Sequence, residues 1–124
     1  AVGEPVEVLV GDWTADSGYA LGAALDPATT AVFAANDQMA LGLIHALADR
    51  GIDVPGDVSV VGFDDLADVA HYRPPLTTVR QDFSALGQRA IETLVAVMAG
   101  EARPRIATIP ASLTVRDSTA TPSR

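Results

Sequence analysis

The 124-residue chain has no cysteine, which removes disulfides, thiolate catalysis and cysteine-ligated metal sites together and suits a cytoplasmic protein. Lysine is missing too: all eight basic residues are arginine, set against 16 Asp and Glu for a formal charge of −8. An acidic chain repels a phosphate backbone, and no helix-turn-helix pattern is present, so these residues are not expected to bind nucleic acid directly. Asp, Arg, His or Gly interrupts every apolar run before the roughly 20 residues of a membrane span, so no span is expected. The start, Ala1-Val2-Gly3-Glu4-Pro5, lacks the basic and apolar regions of a secretory signal. Catalytic phrases are absent as well. There is no Gly-x-Ser-x-Gly elbow and no phosphate-binding glycine loop, so neither a catalytic residue nor a cofactor is assigned. His45 and His71 lie far apart without carboxylates at ligand spacing, which argues against a metal site. Asp64 and Asp65 are adjacent, and on extended backbone their side chains diverge, a poor start for a glycosidase pair.

What is present is a chain nearly half apolar (48%), enough for one domain with a real core. Its pattern alternates strand and helix. Residues 6–10 read as a buried strand entering a loop at Gly11-Asp12-Trp13, and residues 17–25 as a helix capped near Asp16 or Ser17 and stopped by Asp26-Pro27. Residues 31–35 form the next strand. Asn36-Asp37 then caps a helix through Arg50 that ends at Gly51, with Met39, Ala40, Leu43, Ile44, Leu47 and Ala48 making one apolar stripe. Residues 58–63 are apolar almost without alternation, as in a parallel strand covered on both faces. A short helix over 66–70 precedes Pro74-Pro75, which forces extended backbone into residues 76–80. Asp82 or Ser84 caps a further helix over 84–99, whose stripe is Leu86, Ala90, Ile91, Leu94, Val97 and Met98. Residues 106–109 and 112–115 read as short strands, and 118–124 as a frayed tail. Strand, helix, strand is the grammar of a doubly wound α/β fold with a parallel sheet.

Three phrases stand just beyond strands or at helix starts, where such a sheet presents its ligand site. They are Asn36-Asp37-Gln38-Met39-Ala40-Leu41-Gly42, Val60-Val61-Gly62-Phe63-Asp64-Asp65, and the run from Pro74-Pro75-Leu76-Thr77-Thr78 through Val79-Arg80-Gln81-Asp82-Phe83. In this order and spacing the chain resembles the lactose-repressor (LacI/GalR) family of bacterial transcription regulators, from about Leu9 to Asp117. Gly11-Asp12-Trp13, followed by Ser17-Gly18-Tyr19, sharpens the likeness toward sugar-responsive members.

The resemblance implies a periplasmic-binding-protein-like effector domain over 1–117, largely its C-terminal lobe, followed by the tail 118–124. The family plan is two similar α/β lobes around a sugar cleft, preceded by a DNA-binding headpiece. Residues 77–81 would cross between lobes, the helix over 84–99 would belong to the N-terminal lobe, and the last strands would return. Headpiece, most of the N-terminal lobe and the first strand and helix of the C-terminal lobe are not in this sequence. The stripe on 84–99 would then lack its partner sheet, so the chain is expected to be part of a longer polypeptide or to self-associate.

The resemblance places Asp64 as the carboxylate that accepts hydrogen bonds from effector hydroxyls; an ionised carboxylate offers about four acceptor positions to a polyol. The plainer alternative is a turn residue solvating a strand end. Asn36 would cap its helix and present its amide to the ligand, or cap alone. Trp13 would cover the C–H face of a pyranose, with ordinary packing as the alternative. Gln81 would supply an amide and Phe83 an apolar wall, although Phe83 could instead be a hydrophobic staple on the following helix. Asp37 and Gln38 read as helix-start residues and Asp65 as a turn or cap residue. Leu41, His45, His71 and Tyr72 are implied to pack against a second subunit, with plain exposure the alternative for His45. The expectation is thus a sugar-sensing, homodimeric, non-enzymatic regulator that reaches operator DNA only through the missing headpiece. The alternatives are a periplasmic-type sugar-binding transport protein and a sugar-acting enzyme.

Overall fold

The computed structural model describes residues 6–100 and 108–122. Its elements run α1 (Ala15–Ala23), β1 (Ala31–Phe33), α2 (Asp37–Asp49), β2 (Ser59–Asp64), a 3₁₀ turn (Val69–His71), β3 (Thr77–Arg80), α3 (Phe83–Met98) and β4 (Ser112–Thr114). The sheet order is β1-β2-β3-β4, with β1, β2 and β3 parallel and β4 antiparallel to β3.

Helix α2 is positioned by local chemistry at both ends. The Asn36 side chain accepts from the Met39 N–H at its start, satisfying one of the donors a helix leaves unpaired. Gly51 adopts φ +70 just beyond its end, a left-handed conformation that glycine reaches without a Cβ clash. Most of the expected stripe faces inward: Ala40, Leu43, Ile44 and Leu47 join Val58, Val60, Val69, Tyr72 and Leu76 in the core, Met39 is half-buried against it, and Ala48 is exposed. Helix α1 starts two residues earlier than its sequence suggests, because Thr14 rather than Asp16 or Ser17 accepts from the Ser17 N–H. It lies tight against α2. A Cβ on Gly42 would stand 1.8 Å from the Ala15 carbonyl oxygen, so only glycine permits this approach.

By register, Phe33, Val61, Phe63, Val79 and Leu113 share the sheet face opposite Val60. Among the described residues no helix covers it, and Phe33 and Leu113 are more than half exposed. Helix α3 leaves the end of β3 with no buried residue at all. Its stripe is bare, from Leu86 (48% exposed) to Met98 (79%).

Two expectations change. Residues 6–10 form no strand, and Val6, Val8 and Val10 are each at least 80% exposed. A strand needs a ladder to pair with, and the sheet's edge beside β1 is not taken up by this run. Residues 118–120, read as the start of a frayed tail, are instead woven into the sheet. Ser118 is fully buried; its backbone oxygen accepts from the Val60 N–H at 2.8 Å, and its hydroxyl donates to the Val60 oxygen at 2.6 Å while accepting from the Thr77 N–H at 2.8 Å. This segment pairs with the beginning of β2 where β3 has not yet started. The expected helix over 66–70 is reduced to the 3₁₀ turn at Val69–His71; of the expected strand over 106–109, residues 106–107 lie outside the described residues and 108–109 form no strand.

Candidate functional site at the carboxyl edge of the sheet

Three parallel strands end on one side of the molecule, and each delivers a polar group there. Asn36 follows β1, Asp64 closes β2 and Gln81 follows β3. Backbone polarity and the connections of a parallel sheet make this edge the usual place for a ligand. Asp64 and Asp65 have φ +114 and +60, a region uncommon outside glycine that Asn and Asp enter more readily than other residues. The turn aims the Asp64 carboxylate at β3's exit, where its Oδ1 accepts from Gln81 Nε2 at 2.7 Å. The remaining acceptor positions of that carboxylate have no protein donor assigned among the described residues and suit a hydroxylated ligand.

Asn36 is 4% exposed. Besides capping α2, it donates from Nδ2 to the Trp13 carbonyl at 2.8 Å and to Gln38 Oε1 at 2.9 Å. The amide thus joins the Trp13 loop to the head of α2. Trp13 has φ +74 and is 65% exposed, so the indole is presented to solvent and not packed into the core. The loop beneath it is fixed by Asp12, whose Oδ1 accepts from the Thr14 hydroxyl at 2.6 Å and the Thr14 N–H at 3.1 Å; the Thr14 hydroxyl is the main reason the Asp12 carboxyl lies below its ordinary range. Phe83 is 52% exposed. Asp82 caps α3 by accepting from the Ala85 N–H at 2.8 Å, which makes Phe83 the first helical residue. A hydrophobic staple would occupy the position before the cap, and that position is Gln81, so the staple alternative for Phe83 does not apply.

Two carboxylates that read as helix-start and turn chemistry lie behind this edge. Asp37 is fully buried: Oδ1 accepts from the Thr78 hydroxyl at 2.6 Å and Oδ2 from the Leu66 N–H at 2.9 Å. Burial pushes its carboxyl above the ordinary range, the Thr78 and Leu66 bonds oppose that rise, and the charge of Asp64 adds to it. Gly62 makes the room, since a Cβ there would stand 2.4 Å from Asp37 Oδ1. The Asp65 side chain is 1% exposed and bridges two guanidiniums, Arg80 through Nε and Arg116 through Nη2 at 2.7 Å. Burial alone would raise its carboxyl, but the hydrogen bonds and charges of Arg116 and Arg80 outweigh it and hold the group below the ordinary range. The bare glycine in β2 and the Thr77-Thr78 pair are the signals in the sequence that could have pointed to Asp37. Nothing local marks Arg116 as the partner of Asp65.

On the outer face of α2, Leu41 and His45 are both exposed. His45 meets the Tyr19 ring edge-on at 5.2 Å, and the Tyr19 hydroxyl donates to Asp49 at 2.8 Å. His71 is exposed, whereas Tyr72 is 8% exposed and belongs to the core. The resemblance implied that both pack against a second subunit; Tyr72 instead belongs to the same core cluster as Val69 and Leu76, so only His71 of that pair is displayed. Among the described residues no group of three or more His, Asp or Glu could hold a metal ion, and no helix is long and apolar enough to cross a membrane.

A depression of about 290 Å³ lies at the opposite end of α2 between Ile44, Ile52, Val54 and Arg73. It is away from the converging polar groups, and the strand-end position outweighs its size as a guide to the site.

Residues 3–119 match the family described as periplasmic binding protein-like domain. The lactose operon repressor of Escherichia coli (strain K12) is 41% identical over 125 residues, covering 97% of this chain and 34% of that protein. Among solved structures, the lac repressor dimer bound to operator and the anti-inducer ONPF superposes with a TM-score of 0.82 at 41% identity, covering 90% of this chain and 40% of that one. The complex of the transcriptional regulator CelR with cellobiose gives 0.81 at 38% identity, covering 87% and 34%. The chain spans about a third of the length of the curated relatives it matches. Its parallel sheet, its strand-end polar groups and these matches agree: the chain belongs to the periplasmic binding protein-like domain family and is homologous over most of its length to the LacI/GalR repressors.

Proposed function

We propose that the chain is the effector-sensing and dimerisation portion of a bacterial transcriptional regulator, and that its effector is a sugar or related polyol. The observation that carries this reading is the convergence of Trp13, Asn36, Asp64 and Gln81 at the carboxyl edge of the parallel strands, in a chain homologous to regulators whose solved complexes hold cellobiose or ONPF. The Trp13 face covers the C–H surface of a pyranose ring. Asp64 accepts from its hydroxyls at the positions the Gln81 amide leaves free, Gln81 offers its amide beside it, and Asn36 holds the Trp13 loop in place. Phe83, at the head of α3, supplies an apolar wall from the far side.

Because Gln81 sits at the root of the segment leading to α3, an effector that contacts both Asp64 and Gln81 changes how that segment is held. Coupling of this kind needs a ligand that binds one arrangement better than the other. Operator DNA is reached through a headpiece outside these residues, since a chain with a formal charge of −8 repels a phosphate backbone, and such a regulator works in the cytoplasm. Homodimerisation through the outer face of α2, with Leu41 and His45, and through His71, backed from the core by Tyr72, brings two headpieces to one operator. The matched relatives are transcriptional regulators, which favours this reading over a transport binding protein or an enzyme.

The test is Trp13 fluorescence titrated with a panel of mono- and disaccharides, on the wild type and on Asp64→Ala. Asp64→Ala is expected to weaken the response at least about tenfold, or roughly 1.4 kcal/mol, because a charged acceptor leaves a desolvated site. Equal affinity in the two proteins would remove Asp64 from the site.

A further inference from the structure

Helix α3 is joined to the rest of the molecule by two chain segments. β3 leads out to it, and the chain returns from it into β4, which pairs antiparallel with β3 through Thr78↔Thr114, Val79↔Leu113 and Arg80↔Ser112. No residue of α3 is buried, so its direction depends on what fixes these two segments at their root. One carboxylate touches both. Asp65 receives Arg80 from the outgoing strand, Arg116 from just beyond the returning one, and the Thr114 hydroxyl at 3.4 Å. Arg116 is itself pinned: Nη1 donates to the Leu76 carbonyl at 2.7 Å, and its backbone N–H to the Thr77 hydroxyl at 2.9 Å. Asp65 also follows Asp64 directly, both in left-handed backbone.

We infer that Asp65 is a positioning residue: through Arg80 and Arg116 it clamps the two segments that carry α3 and so fixes where Gln81 meets Asp64. Three features support this assignment. The Asp65 side chain is 1% exposed while its partner Arg80 is 59% exposed, so the carboxylate was taken out of water to reach an arginine that keeps much of its hydration; a simple surface pair needs no such burial. Charge-assisted bonds to a guanidinium fix direction as well as distance. The clamp, finally, lies where both segments come together beside the Asp64 turn. The part of the inference that concerns the effector rests on the proposed function; the part that concerns the segments does not.

The absence of cysteine allows a direct measurement. Spin labels placed at Ala48→Cys on α2 and Gln88→Cys on α3 report the distance between the two helices by pulsed dipolar spectroscopy, with excess unlabelled chain present to suppress intermolecular pairs. The unmodified clamp is expected to give one narrow distribution. Asp65→Asn and Arg80→Gln should each broaden it at least about twofold, as a fixed segment becomes an ensemble, and Arg80→Lys, which keeps a cation within reach, should restore most of the narrow component. Arg80 is largely exposed, so Arg80→Gln decides the matter if Asp65→Asn does not fold. A distribution in Arg80→Gln as narrow as in the parent, with unchanged circular dichroism, overturns the inference; so does broadening that Arg80→Lys fails to reverse. Arg80→Gln should also weaken the Trp13 sugar response several-fold. If no sugar moves Trp13 in the full-length protein, the proposed function fails, and the distance measurement still decides whether Asp65 is a clamp.

Discussion

Replacing Asp37 by alanine and by asparagine separates what its hydrogen bonds contribute from what its charge costs. The side chain is fully buried and accepts from the Leu66 N–H and the Thr78 hydroxyl. Alanine orphans both donors. A buried unpaired donor costs about 1–3 kcal/mol; the Leu66 N–H has no alternative, while the Thr78 hydroxyl can rotate and recover part of its loss, so Asp37→Ala should lower stability by about 2–4 kcal/mol. That is a large share of the roughly 5–15 kcal/mol of a typical domain. Asparagine behaves differently. Its oxygen can accept from Leu66 and its amide can donate to Thr78, which then acts as acceptor. It also removes a buried charge while losing the favourable placement of that charge at the start of α2, and the two effects oppose, so Asp37→Asn should fall within about 1 kcal/mol of wild type.

The pH dependence supplies an independent check. The folded carboxyl titrates above its unfolded value, so the folded state holds the proton more tightly, and acidification through the raised value relieves the wild type but not the asparagine variant. Any advantage of Asp37→Asn should therefore shrink as pH falls. Urea unfolding followed by far-UV circular dichroism, with the near-UV signal of Tyr72 as a core probe, measures both effects. Equal destabilisation by alanine and asparagine, or an advantage that grows on acidification, would refute the reasoning.

Gly62→Ala should destabilise the chain by about 2–4 kcal/mol, because a Cβ there would stand 2.4 Å from Asp37 Oδ1 and 2.7 Å from the Leu76 side chain; a thermal melt within a degree of wild type would contradict the packing described. Burial, with Asp68 and Asp37 nearby, pushes the Tyr72 hydroxyl up to about 12. Its contribution is complete below the unfolded value near 10 and is lost as pH rises toward the folded one, so spectrophotometric titration should show one tyrosine ionising only near pH 12 or with alkaline unfolding. The bare stripe of α3 should drive concentration-dependent association of the isolated chain that Ile91→Glu with Leu94→Glu abolishes in sedimentation velocity; a monodisperse monomer with protected α3 amides in hydrogen exchange would exclude it.

The sequence by itself determined what is encoded locally. The Asn36 cap, the apolar stripe and the terminal Gly51 mark α2 within a few residues; the unbroken apolar run before Asp64 marks β2; and the polar residues placed after each strand mark the candidate ligand edge. These signals act over three or four residues, within reach of one helical turn or one strand pleat. Tertiary structure decided everything that depends on a distant partner. Residues 6–10 have the composition of a strand but no ladder to join, whereas residues 118–120 have the composition of a tail but meet the unpaired start of β2. Asp37 reaches Thr78 41 residues away and Asp65 reaches Arg116 51 residues away. No periodicity connects such positions, so two acidic residues that read as helix-start and turn chemistry became, respectively, the floor beneath the candidate site and the clamp beside it. Tyr72 follows the same rule: its neighbour His71 remains at the surface, and the curvature of a single 3₁₀ turn sends the next ring into the core.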